Sequence, residues 1–78
     1  MNKQNTLIKM LETAHTESAF SGILLFAMEV LELSDEDVGR LYGATRGTVS
    51  RWKNGHSAPH TATKMIIYQE LLKLAKEM

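Results

Sequence analysis

The sequence predicts an all-α protein, a compact bundle of about five helices. Three observations carry this expectation. Apolar residues recur at three- and four-residue spacing, and β-branched residues never alternate with polar ones for a useful length. One proline stands in 78 residues. Capping residues and glycines fall at intervals that suit short helices.

The first helix is expected over about Gln4 to Ala14, with Leu7, Met10, Leu11 and Ala14 on one face. The second, about Ala19 to Leu31, follows Ser18 as a possible cap. It is apolar almost all round through Ile23, Leu24, Leu25, Phe26, Ala27, Met28, Val30 and Leu31, so it must be covered on several sides. In "LSDEDVGRLYGAT", Ser34 and Asp37 make a capping-box pair, and Asp35 and Glu36 lie in the first turn, where the helix dipole favours acids. Val38, Leu41 and Tyr42 form the apolar stripe of this third helix. Gly43 then stands where a left-handed residue ends a helix, and Thr45 is the next N-cap. A fourth short helix should run from Arg46 to about Asn54 and stop at Gly55. "GHSAPH" is a turn. The last helix runs from about Pro59 or His60 to the end, with Ile67, Leu71, Leu74 and Met78 on one stripe and Met65, Ile66 and Leu72 beside it.

At 78 residues the chain reads as a single domain over 1–78, near the size at which one core barely suffices. Without cysteine it has neither disulfides nor a thiolate zinc site, which fits a reducing cytosol. No signal peptide is visible, and the most apolar run, Gly22 to Leu33, holds Glu29 and Glu32 and is too short to span a bilayer. Formal net charge is zero, yet its distribution is uneven. From Val38 to Gln69 stand Arg40, Arg46, Arg51, Lys53 and Lys64 with no acid among them. The middle of a neutral chain is thus locally basic, which points toward a polyanionic partner.

A short helix, a glycine-containing turn and a second short helix make a helix-turn-helix arrangement over about 34–55. Such a pair needs a small residue where its helices approach, and Gly39 meets that need. It needs inward anchors, and Val38, Tyr42, Ala44, Val49 and Trp52 are spaced to supply them. Leu33 to Gly55, "LSDEDVGRLYGATRGTVSRWKNG", resembles the phage-repressor type of helix-turn-helix, the Cro- and Xre-like (lambda-repressor-like) domains. The resembling residues are Gly39, Gly43, Thr45, Thr48-Val49-Ser50, Trp52 and Asn54-Gly55, followed by Pro59. The resemblance implies a second helix that lies in the major groove of double-stranded DNA, usually in a dimer on a two-fold operator.

Helical geometry agrees with that implication. Val49 and Trp52 share the inner side with Thr45 and Thr48 flanking it, and Arg46, Gly47, Ser50, Arg51 and Asn54 fan across the outer side. Arg46, at the N-terminal end, is able to donate two hydrogen bonds to guanine O6 and N7. Arg51 has the same capacity or grips a phosphate, and Ser50 is short enough to touch any base. Gly47 costs roughly 1 kcal/mol against alanine inside a helix, so its place on the outer arc suggests close approach of DNA to the backbone. Base contacts are therefore expected from Arg46, Gly47, Ser50 and Arg51. Phosphate contacts are expected from Ser34, Thr45, Thr48, Lys53, Asn54 and His56. Asp35 stands where family members often carry glutamine, and the expectation is that it supports the recognition helix by pairing with Arg46.

Plainer readings exist for each feature. Trp52 is expected as a core anchor, and His15, His56 and His60 have no nearby carboxylate or thiol in sequence, so no metal site is expected. No nucleophile–base pattern or phosphate-cradling glycine loop emerges, so neither catalysis, cofactor nor small-molecule substrate is expected. The chain reads as a cytoplasmic, nucleoid-associated repressor of phage or mobile-element type. Its homodimer is expected to form through the last helix or the second, because little chain remains outside the domain. Two alternatives stay open: an antirepressor or adaptor that keeps the fold without specific DNA binding, and a DNA-binding antitoxin.

Overall fold

A computed structural model describes residues 2–15 and 17–78, and among them five α-helices and no strand occur. They are α1 (Lys3–Thr13), α2 (Phe20–Leu31), α3 (Asp35–Tyr42), α4 (Arg46–Lys53) and α5 (Thr61–Lys76). Contacts run from α1 to α5 and α2, from α2 to α4 and α5, and between α3 and α4. The chain measures 32 × 25 × 18 Å along its principal axes.

The local signals account for most helix ends. Ser34 accepts from the Asp37 N–H at 3.0 Å, and Asp37 accepts from the Ser34 N–H at 2.9 Å, closing the expected capping box. The bond from the Ser34 N–H to its carboxylate, followed by the interaction with the Ser34 hydroxyl, holds the Asp37 carboxyl below the ordinary carboxylate range. Gly43 ends α3 at φ 67°, and the Ala44 N–H donates to the Gly39 carbonyl at 2.8 Å. Gly55 takes φ 75°, and the His56 N–H donates back to the Arg51 carbonyl at 2.9 Å while Gly55 donates to Trp52, the paired bonds of a Schellman cap.

One expected cap differs, and two further helix ends use residues for which no capping role was expected. Ala19, not Ser18, is the N-cap of α2 and supplies no side-chain bond. The Ser18 hydroxyl instead accepts from the His15 N–H at 3.0 Å and is spent inside the preceding turn. Glu32 ends α2 in the left-handed region at φ 55°, a place where no glycine announces the stop. His60 caps α5 through Nδ1, which accepts from the Ala62 N–H at 3.2 Å.

The core gathers Leu7 and Leu11 of α1, five residues of α2, Val38, Val49, Trp52, and the inner face of α5. Phe20 is its aromatic hub, edge-on to Trp52 at 5.9 Å and tilted against Tyr68 at 5.8 Å. Placing Phe20 there lets one side chain join α2, α4 and α5, and each such buried ring contributes a few kcal/mol. Gln4 of α1 reaches across to donate to the Ala75 carbonyl at 2.8 Å, locking α1 onto α5.

The inner face of α5 differs from the expected stripe. Ile67, Tyr68, Leu71 and Ala75 are buried, Leu74 lies at the edge, and Met78 is 60% exposed. Tyr68 and Ala75 outrank more apolar residues because the ring meets Phe20 and the small alanine admits α1. The expected all-round cover of α2 is partial, since Leu25 remains 48% exposed.

Gly39 is buried where α3 meets the turn into α4. A Cβ at that position would run into the carbonyl oxygen of Ala44, which is backbone and has no freedom to yield. Gly39→Ala is therefore expected to destabilise the fold by roughly 1–3 kcal/mol despite its better helix propensity, read as a lowered midpoint in urea. A midpoint unchanged or raised would contradict the close approach.

The Tyr42 hydroxyl is buried without a hydrogen-bond partner, and burial followed by the nearby Glu70 charge pushes its pKa up from 10.0 to about 12. The phenol must stay neutral to remain inside. Its contribution is thus intact below pH 10 and lost as pH rises through about 12. Thermal melts between these pH values are expected to show a smaller loss for Tyr42→Phe than for the parent chain.

Candidate nucleic-acid interface

α4 is eight residues long and buries only Val49 and Trp52. These two side chains, three apart, fix which way the helix faces. Arg46, Gly47 and Arg51 are exposed, and Ser50 is half-buried. All four expected base-contacting residues therefore lie on α4 away from its anchors. Gly47 has open space where a side chain would stand: a Cβ would meet only the Thr45 hydroxyl, at 3.9 Å. Nothing inside the protein requires glycine there.

The hydroxyls along one edge of α4 form a short chain. Thr45 accepts from the Thr48 N–H at 3.1 Å as N-cap and donates to the Thr48 hydroxyl at 3.0 Å. Arg51 donates to that same hydroxyl from Nη2 at 3.4 Å. The guanidinium is thereby drawn to the Thr45–Thr48 edge of α4. The i, i+3 spacing of Thr48 and Arg51 is the sequence signal for this contact.

The expected phosphate contacts divide. Thr45 and Thr48 border the exposed arc, and His56 is exposed in the turn after α4. Ser34 is committed to the capping box. Asn54 donates to the Ser50 carbonyl at 2.9 Å and helps close the helix. Lys53 is committed to an ion pair.

That ion pair corrects the expectation for Asp35. Its Oδ1 lies 2.6 Å from Lys53 Nζ, with the two side chains only 29% and 24% exposed. Asp35 therefore braces α4 through Lys53 at its last turn, not through Arg46 at its first. The start of α3 lies against the end of α4, because the turn reverses the chain between them. This pairing, 18 residues apart in sequence, was missed by sequence reasoning because only the angle between the helices brings the two together.

The charge pattern sharpens as a result. Glu36 takes Arg40 at 3.4 Å and Asp35 takes Lys53. Among the described residues, Arg46 and Arg51 have no carboxylate within ion-pair distance. The outer arc of α4 thus carries two uncompensated guanidinium groups within the acid-free segment. No group of three or more His, Cys, Asp or Glu side chains able to hold a metal occurs among the described residues, and no helix among them is long and apolar enough to cross a membrane.

Removing either member of the Asp35–Lys53 pair is expected to lower stability by about 1 kcal/mol, more than a fully exposed pair contributes. A double-mutant cycle over Asp35→Asn and Lys53→Met, read by urea denaturation, should give a coupling of the same sign and order. Additive effects would mean that the two side chains do not brace each other.

No family model, no curated protein and no solved structure matches the chain.

Proposed function

We propose that the chain is a sequence-specific regulator that binds double-stranded DNA as a dimer and represses transcription, in the manner its Cro- and Xre-like resemblance implies. One observation carries the reading. Arg46 and Arg51 stand uncompensated on an exposed arc that has no packing duty, with Gly47 between them where the fold does not need it. A side-chain-free position flanked by arginines suits the close approach of a helix to base edges. Arg46 and Arg51 read guanines in the major groove, Ser50 touches an adjacent base, and Thr45, Thr48 and His56 meet the flanking phosphates. Asp35 serves by fixing the tilt of α4 through Lys53.

The acids that would favour a purely protein-binding adaptor are engaged internally. Asp35 holds Lys53, Glu36 holds Arg40, and Asp37 closes the capping box. They do not repel a duplex as a free cluster would. With few free cations per protomer, affinity should fall only gently with salt. The same reading leaves the chain without a catalytic role and places it with the nucleoid.

The test is selection from random duplexes at low salt. The parent chain is expected to enrich a motif with two-fold symmetry and guanine at fixed positions. Arg46→Ala and Arg51→Ala should each abolish enrichment while leaving helicity unchanged. Gly47→Ala should separate binding from folding: stability rises by up to about 1 kcal/mol while the duplex affinity falls. Failure of the parent chain to enrich any motif would overturn the reading in favour of an adaptor.

A further inference from the structure

α1 and α5 do not close against each other along their whole length. At one end Gln4 donates to the Ala75 carbonyl at 2.8 Å and the helices are locked. Further along, a groove of about 280 Å³ lies between them, walled by Leu11, Ala14, Met65 and Leu72 and edged by Glu12. Met65, Tyr68 and Leu72 share one face of α5 through their i, i+3, i+7 spacing. Ala14, Met65 and Leu72 are half-buried, so apolar surface is left open inside a concave wall.

Tyr68 lines the same groove. The residue is 2% exposed, yet among the described residues its hydroxyl has no hydrogen-bond partner, and it is shut off from solvent. Burial pushes its pKa up, so the phenol keeps its proton at neutral pH. A buried O–H left unpaired is destabilising, and an incoming polar group relieves it. The edge of the groove carries a second polar feature. Glu12 is half-exposed and paired with Lys76, whose Nζ lies 3.8 Å from its carboxylate. So long and solvated a pair is readily exchanged for another cation.

We propose that this groove binds a small aromatic amine with a hydrogen-bonding group on its ring. The ring lies against Leu11, Met65 and Leu72, its polar substituent pairs with the Tyr68 hydroxyl, and the ammonium meets Glu12. Because water does not reach the hydroxyl, pairing draws the Tyr68 ring outward. That ring is tilted against Phe20 at 5.8 Å, and Phe20 stands edge-on to Trp52 at 5.9 Å. Occupancy is therefore felt at one of the two anchors of α4. The site and this aromatic relay stand on α1, α5 and the core; only the use of the relay to regulate DNA binding rests on the reading above.

Tyramine is the probe, set against phenethylamine, which lacks the ring hydroxyl, and p-cresol, which lacks the amine. Titration of the full chain without DNA is followed by calorimetry and by the fluorescence of Trp52, the single tryptophan. Tyramine is expected to bind with a Kd of about 1 mM or tighter and to change the Trp52 emission. Phenethylamine and p-cresol should each bind roughly fivefold more weakly. Tyr68→Phe should weaken tyramine binding by the same factor and leave phenethylamine unchanged. Its urea midpoint should hold or rise, because an unpaired hydroxyl has gone. Glu12→Gln should weaken both amines and leave p-cresol unchanged. No binding of tyramine at about 10 mM, or a Tyr68→Phe chain that binds it as the parent does, would overturn the site whatever the duplex selection returns. Binding without a change in Trp52 emission would overturn the relay.

Discussion

The close approach at Gly39 sets the geometry on which the rest of the structure depends. α3 and the turn after it meet without a side chain between them, because a Cβ would strike the Ala44 carbonyl. The same two residues are joined by the hydrogen bond from the Ala44 N–H to the Gly39 carbonyl. Gly43 allows the reversal, and Thr45 starts α4 at once. With so short a turn, α4 has little choice of direction. Asp35 and Lys53 then fasten the far end of the pair, where α3 begins and α4 stops. A backbone contact at one end and an ion pair at the other hold an eight-residue helix that buries only two side chains.

That economy explains the character of the α4 surface. A short helix anchored by Val49 and Trp52 leaves most of its circumference without a packing role. Trp52 reaches the core through Phe20, which in turn touches Tyr68 on α5. The orientation of α4 is therefore referred to the whole bundle and not to α3 alone. Its outer residues are held on a rigid base and take no part in the core. Net charge of zero conceals the arginine-bearing arc on α4.

The parts of the fold legible in sequence are those governed by local chemistry. Ser34 with Asp37, Gly43, Thr45 and Gly55 each act within a few residues, and each stands where its residue type requires. Val49 and Trp52 were legible because their three-residue spacing on a polar helix admits one inward side. What was not legible depends on neighbours distant in sequence. Asp35 meets Lys53 only because the helices cross as they do. Tyr68 and Ala75 face inward because Phe20 and α1 come to meet them, while the more apolar Ile66 and Met78 are left outside. Ser18 satisfies the cap preference by composition, but the His15 N–H claims its hydroxyl first. Glu32 accepts a left-handed conformation that its residue type does not advertise.

We propose that the outer arc of α4 is the surface that meets DNA. Backbone amide shifts followed by NMR during titration with short duplexes at low salt measure this most directly, because they locate contact residue by residue. Perturbations are expected to concentrate at residues 45–51 and in the turn around His56, with the outer face of α5 unaffected by duplex. Perturbations confined to α5, or none anywhere as duplex is added in excess, would contradict it.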